Sequence, residues 1–289
     1  LTVRGWKPLP NTNLNTIYDG ALLQFLDVFS EFNIKATFFV VGKDLLNKNN
    51  QRLIKRLSEE GHEIANHTMN HIQDFVSLEK NKKRSEIEEM ARRASDLIGK
   101  PITGFRAPGW NIDIDTIDIL EERGYCYDSS VFPSFFIPLL KLVHFHKNRG
   151  RGASCFGKPF LICAAPRGPY FPSVDRIWKR GNRSILEIPP SVLPVVRFPF
   201  FGTLIFQLGV NFFIKSFSIF RLSSLPLVYE LHGIELADYD DIGDERLRVK
   251  PGLTWPLKDK IDVYKKMITL FKNGYRFMPM QELAFEYTI

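Results

Sequence analysis

The stretch Ile34-Lys-Ala-Thr-Phe-Phe-Val-Val41, closed by Gly42, decides the fold of this chain. It is short, apolar, rich in β-branched and aromatic residues and bounded by glycine, which is the pattern of a buried strand. Upstream of it Leu22, Leu23, Leu26 and Phe29 recur at helical spacing. Downstream Leu53, Ile54 and Leu57 do the same, and Gly61 ends that second helix before His62-Glu-Ile-Ala-Asn66, the next strand. Onward, the pattern predicts a charged helix over 78–98 stopped by Gly99 and Pro101, a strand over 103–106, a helix over 114–122 and a strand over 124–128. Strands over 184–188 and 227–231, a helix over 259–272 and a last strand over 275–278 complete it. Regular β/α alternation means parallel strands joined by crossover helices, and this many units suggests a barrel rather than an open sheet.

In such a barrel the chemistry gathers at the C-terminal strand ends. Polar residues that stand out in this chain fall there: His67, Arg106, Asp128 and His232. In Gly61-His-Glu-Ile-Ala-Asn-His-Thr-Met-Asn-His71, two imidazoles four residues apart can reach one divalent ion from the same side. The spacing alone fits two surface histidines on one helical face equally well. The shared strand-end position of the other polar residues favours a site. His62, beside Glu63, reads as structural.

The whole composition bounds the function. The chain has 289 residues, 44% hydrophobic and 25% charged, the balance of a folded globular protein. A formal charge of +7 suits anionic surroundings such as lipid headgroups, phosphate-linked carriers or acidic glycans. No zinc finger, RNA-binding signature or basic helix supports a nucleic-acid partner. The run Glu79-Lys-Asn-Lys-Lys-Arg84 reads as a solvated helix face. Cys126, Cys155 and Cys163 have no metal-ligand spacing and form no paired framework, and Cys126 reads as a buried strand residue. With no charged-then-apolar segment at the start, a cytoplasmic or peripheral-membrane location is expected.

One domain is expected over 1–289, with an irregular insertion at about 132–183 and an apolar helical segment at about 198–221. The latter is interrupted by Gln207, Asn211, Lys215 and Arg221, so it reads as a core or lid helix rather than a membrane span. A lipid-facing surface there, with peripheral membrane contact, is the minority reading. In the insertion, His144 and His146 are minor second-site candidates.

The pieces Ala36-Thr-Phe-Phe-Val-Val-Gly42, Gly61-His-Glu-Ile-Ala-Asn-His67 with His71, Phe105-Arg-Ala-Pro-Gly109, Tyr127-Asp-Ser-Ser130 and Glu230-Leu-His232 stand in one order. In that order the chain resembles the polysaccharide deacetylase family, also called the NodB-homology or carbohydrate esterase family 4 group. The resemblance implies an α/β fold, a distorted (β/α) barrel. It also implies a metal-dependent hydrolase that removes an N-acyl group, acetyl or formyl, from a sugar in a polysaccharide or lipid-linked glycan. By the family pattern His67 and His71 hold a divalent metal, Zn²⁺ first and Co²⁺, Mn²⁺ or Ni²⁺ as alternatives. His232 then protonates the leaving nitrogen, Asp128 holds the His232 ring, and Arg106 pairs with the catalytic carboxylate. Pro108, Gly109, Trp110 and Ser129 are expected at the substrate.

The chain departs from that pattern in one place. Family members carry an acidic pair at the end of the first strand, one residue as general base and one as third metal ligand. Here Leu1-Thr-Val3 resembles the start of that strand, but Arg4-Gly5-Trp6 follows it. Asp19-Gly20 mimics the tail of the acidic motif, which makes Asp19 the candidate third ligand. Otherwise the acids lie upstream of Leu1 or are lost. In the last case the chain is a catalytically impaired, glycan-binding member of the group.

Overall fold

The computed structural model describes residues 12–13, 15–136, 159–249 and 252–288. Leu1-Thr-Val3, Arg4-Gly5-Trp6, Cys155, His144 and His146 lie outside these residues. The described chain groups into two compact units. One comprises Lys35–Pro199, Leu225–Val228 and Met278–Ile289, and the other Leu1–Ile34, Phe200–Ser224 and Tyr229–Phe277.

The first unit carries the sheet. Its strands are β1 (Thr37–Val40), β2 (Glu63–Asn66), β3 (Gly104–Phe105), β4 (Tyr127–Asp128) and β5 (Leu186–Glu187), all parallel and in chain order across the sheet. Helices Lys48–Glu59, Lys80–Ile98 and Ile114–Glu122 make the first three crossovers, so the α/β alternation expected from the periodicity is present. Parallel strands covered by helices bury both faces. Accordingly Ala65, Phe105, Tyr127 and Leu186 have no exposed surface, and Ile54, Ile87, Met90 and Leu120 on the helices are equally buried.

Pairing sets Val40 beside Asn66, Asn66 beside Phe105, Phe105 beside Asp128 and Asp128 beside Glu187. In-register neighbours in a sheet project to the same face. That row therefore lies across the C-terminal ends of the strands, and the residues after it, His67, Arg106 and Ser129, leave the sheet together.

Gly104 permits the close approach of β4. A Cβ added there would lie 2.2 Å from Tyr127 Oη and 2.3 Å from Cζ, and Tyr127 is fully buried. Its phenol also donates to Glu63 Oε1 at 2.8 Å, so the ring has nowhere to go. Gly104→Ala is therefore expected to destabilise the fold by about 3 kcal/mol through overpacking. Denaturant unfolding of the variant checks this, and a midpoint matching wild type would refute it.

Several expectations are corrected. No strand forms over 227–231 or 275–278. Glu230 O accepts from Gly202 N–H at 2.8 Å and Val228 O from Ser191 N–H at 3.1 Å, so the backbone groups of 227–231 bond loop residues. Tyr275 N–H closes onto Phe271 O of the preceding helix at 2.9 Å. A helix at Met280–Thr288, which the periodicity missed, follows. Ala284, Met280 and Leu283 on it pack with Tyr127, Leu186 and Ile188. Cys126 is exposed, because Tyr125 and Tyr127 on either side take the inward positions. Lys83 is buried rather than solvated, paired with Asp113.

The second unit is built on helices, chiefly Leu22–Glu31, Thr203–Leu208, Val210–Phe220 and Leu257–Lys272. The apolar segment is two helices rather than one. Gly209, at φ +84° and ψ 163°, breaks it in a region that residues with a Cβ avoid. Phe213, Phe217, Tyr229 and Phe271 make an aromatic cluster, with Phe217–Phe271 and Tyr229–Phe271 centroids at 5.0 and 4.9 Å. Among the described residues no helix is long and apolar enough to cross a membrane.

Candidate active site at the strand ends

Asn66, fully buried at the end of β2, anchors the turn that carries both histidines. Its Nδ2 donates to Ile87 O at 2.8 Å and to Tyr125 Oη at 2.7 Å, while its Oδ1 accepts from Thr68 N–H at 2.8 Å. Asn70 is clamped the same way, N–H and Nδ2 both donating to the buried Glu86 carboxylate at 2.8 Å. On this anchored turn Thr68, and His71 just after Asn70, adopt φ values of +62° and +53°, left-handed backbone that costs about 1 kcal/mol or more per non-glycine residue. That strain is retained where surrounding bonds over-determine the conformation, and it turns both rings to one side. The His67 and His71 centroids are 4.8 Å apart at 64°. The pair therefore sits on a constrained turn and not on a helix face.

His67 Nδ1 lies 2.7 Å from Arg106 O. A carbonyl can only accept, so a neutral ring carries its proton on Nδ1 and presents the Nε2 lone pair, the arrangement that orients a metal-ligating histidine. His71 Nδ1 is 3.1 Å from Gln73 Nε2. Two imidazole nitrogens on one side of a turn suit a divalent ion of the zinc type. Among the described residues no set of three or more His, Cys, Asp or Glu side chains converges to hold an ion.

Arg106 follows β3. Its Nε donates to Ser129 O at 3.0 Å and its Nη2 to Ser129 Oγ at 2.7 Å, with the guanidinium carbon 4.3 Å from the Phe39 ring centre. Ser129 Oγ in turn donates to Ile188 O at 2.7 Å. Ser129 was expected at the substrate, but it is fully buried with its hydroxyl engaged on both sides, so it braces Arg106 instead. Pro108, buried, and Trp110, partly exposed and 4.8 Å from the Phe132 ring, stand with Gly109 on the loop after β3.

Asp128 and Glu187, the last residues of β4 and β5, meet in register without any exposed surface. Asp128 Oδ1 accepts from Ser130 Oγ at 2.5 Å and Glu187 Oε1 from Val131 N–H at 3.0 Å. Burial raises the pKa of both, Glu187 further because the charge of Asp128 adds to it, while the Arg106 charge pulls both back. Glu187 went unread in the sequence, although Ile-Pro-Pro after it marks a strand end like the one at Asp128.

His232 and Asp19 belong to the second unit. Asp128 was expected to hold the His232 ring, but the carboxylates against that ring are Glu230 and Glu235. Glu230 Oε1 lies 3.2 Å from Nε2 and Glu235 Oε1 lies 3.2 Å from Nδ1. Glu235 is itself held by Thr203 and by the buried Tyr264 hydroxyl. Desolvation opposes the charged ring, but hydrogen bonds to Glu230 and Glu235 and their charges outweigh it and lift its pKa to about 10. The side chain keeps 43% of its surface, so water moderates that pull. Glu230 and Glu235 were legible in the sequence, two before and three after the histidine. Asp19 stands in the turn Ile17–Ala21, where its Oδ1 accepts from Asn15 Nδ2 at 2.6 Å.

The family model described as polysaccharide deacetylase matches residues 15–127. A peptidoglycan-N-acetylglucosamine deacetylase of Bacillus cereus is 33% identical over 102 residues, 35% of this chain and 46% of that protein. A peptidoglycan deacetylase-like protein of Gibberella zeae is 34% identical over 112 residues, 39% of this chain and 32% of that one. The chain thus spans under half the length of these curated relatives. A crystal structure from Mycobacterium smegmatis, provisionally assigned as a polysaccharide deacetylase, superposes with a TM-score of 0.60 at 17% identity, covering 94% of this chain and 78% of that one. This last likeness speaks for the fold, a distorted (β/α) barrel of the NodB-homology type. The matched segment contains β1, β2, β3 and the anchored turn with its two histidines, and over it the chain is similar to the polysaccharide deacetylase family.

Proposed function

We propose that this protein is a metal-dependent hydrolase that removes an N-acyl group, acetyl or formyl, from a sugar of a polysaccharide or lipid-linked glycan. The observation that carries the reading is the His67–His71 pair, 4.8 Å between ring centres on a turn anchored by Asn66 and Asn70. The donor set fits a divalent ion through two imidazole nitrogens, with Zn²⁺ preferred and Co²⁺, Mn²⁺ or Ni²⁺ as alternatives. Such an ion supplies Lewis-acid polarisation of the acyl carbonyl and activation of water. The residues of the chain do the rest. Arg106 O fixes the tautomer of His67, and the Arg106 side chain offers a planar, permanently charged fork to a carboxylate. His232, kept protonated by Glu230 and Glu235, is the proton donor to the departing amine.

A membrane-proximal or carrier-linked substrate is favoured by the second unit. Ile214, Ile219 and Leu222 are exposed beside Lys215 and Arg221, and no acidic residue occurs over 198–224. The alternative reading, a glycan-binding member without catalysis, rests on the lack of a third metal-binding side chain among the described residues.

One experiment separates these readings. Purified protein is expected to release acetate or formate from an N-acylated glycan, to lose that release in chelator, and to regain it with Zn²⁺ or Co²⁺. Presentation of the glycan on a lipid in anionic vesicles should outperform the soluble polymer. Glycan binding without release, with or without added metal, would establish the binding module instead. Release that persists after complete metal removal would sink both the metal and the role given to the histidines.

A further inference from the structure

The structure assigns Asp128 and Glu187 to one buried carboxyl–carboxylate pair that shares a single proton, which makes Glu187 a positioning residue for Asp128 and Arg106. Three independent observations carry it. First, the two residues are register partners on adjacent parallel strands and neither has exposed surface. Second, each carboxyl has one oxygen satisfied, by Ser130 Oγ and by Val131 N–H, and one buried oxygen, Asp128 Oδ2 and Glu187 Oε2, without a donor among the described residues. Two orphan acceptors side by side are both satisfied by one proton between them, whereas two ionised carboxylates would leave both bare and repel.

Third, the charges balance only in that state. Among the described residues the permanent positive charge that acts on both acids is Arg106, whose guanidinium is held by Ser129 and lies over Phe39. It neutralises one carboxylate, and the other must be an acid, since an unpaired buried charge is expensive. Tyr170, a further titratable neighbour among the described residues, is a buried phenol whose pKa is itself driven up by burial and by both acids, so it brings no charge at neutral pH, and Arg180 stands beyond it, 6.0 Å from its ring centre. The proton lies between Asp128 Oδ2 and Glu187 Oε2, and burial shifts the titration of both acids upward. The shared proton thus ties the two carboxyls together and fixes Asp128 beside Phe105 at the end of β3, next to Arg106, whose carbonyl orients His67. Its importance for catalysis rests on the function proposed above; the shared proton does not.

The linkage has a definite sign. The folded pKa of Glu187 exceeds the unfolded one, so folding takes up a proton between the two and wild-type stability falls as pH rises through that window. A glutamine keeps the donor without requiring the proton.

Infrared spectroscopy of the full chain at neutral pH tests the pair without any assay of activity. Wild type is expected to show the carbonyl stretch of a protonated, buried carboxyl group. Both Glu187→Gln and Asp128→Asn should lose it, because the single remaining acid is then ionised against Arg106. Glu187→Gln should melt at or above wild type, with its advantage growing as pH rises above the usual carboxylate range. Glu187→Ala, which leaves Asp128 Oδ2 without a donor, should melt lower by roughly 5 °C or more. No such band in wild type at neutral pH, a band unchanged in both amide variants, or a glutamine variant as unstable as the alanine one would each overturn the pair. Should Glu187→Ala not fold, the infrared spectra and the melting of Glu187→Gln still decide. If the pair holds while no acyl release is ever found, the functional reading falls and the shared proton stands.

Discussion

Replacing His67 with alanine is expected to abolish stoichiometric metal binding and to lower kcat/KM for acyl release by about 10³-fold or more, the loss of some 4 kcal/mol of electrostatic stabilisation. His67 and His71 are the two imidazoles brought together at the strand ends, and the ring of His67 has its tautomer set by Arg106 O at 2.7 Å. Removing one of two nitrogen ligands leaves a site too weak to compete with water. The fold should survive, because the turn is anchored by the bonds of Asn66, Thr68, Asn70 and Glu86. His71→Ala should behave alike, and the two losses should not add, since either alone empties the site. Metal content and kcat/KM measured on the same preparations check this. A His67→Ala variant that keeps its metal and acts within a few-fold of wild type would show that the chemistry lies elsewhere.

The second large effect is expected at His232. His232→Ala should lower kcat by about 10²–10⁴-fold, the range of a lost general acid. The ordinary histidine loses its proton near pH 6.5, but Glu230 and Glu235 lift this one to about 10. Activity should therefore persist through neutral pH and fall on an alkaline limb displaced well above the ordinary histidine range. Glu230→Gln removes one of the two charges and should move that limb to lower pH with little change at the acidic end. A limb that stays in place in Glu230→Gln would mean that another group is the proton donor. The same shift has a stability consequence. Its folded pKa is above the unfolded value, so the contribution is complete below pH 6.5 and disappears as pH rises through about 10. Because the ring is 43% exposed, that contribution should amount to no more than about 1 kcal/mol after solvent screening.

Much of this molecule was readable from local pattern alone. The helix over 114–122 has the bounds its periodicity and Asp113 cap imply, Asp113 Oδ1 accepting from Thr116 N–H at 3.0 Å. The strands at β1 and β2 and the crossover helices follow from apolar spacing that each segment carries within itself. Where local pattern misled, the missing information was a partner. Residues 227–231 alternate and branch like a strand, yet strand identity requires a neighbouring backbone to complete the ladder, and the groups of Val228 and Glu230 bond Ser191 and Gly202 instead.

The candidate site divides along the same line. That His67, Arg106 and Asp128 stand at strand ends was a matter of counting along the chain, and the family resemblance named the metal and the reaction class. What the sequence by itself could not determine is which side chains touch. Asp128 and Glu187 are far apart in the chain and share a proton only because β4 and β5 pair in that register. Ser129 turned from substrate contact into a brace for Arg106 because the sheet buries it. Glu230 and Glu235, near in sequence, take His232 because the backbone after the histidine turns back on itself, Glu235 N–H bonding His232 O at 2.9 Å. Composition and periodicity are local sums and survive in a single sequence; register, burial and charge pairing depend on distances between segments, which only the folded chain sets.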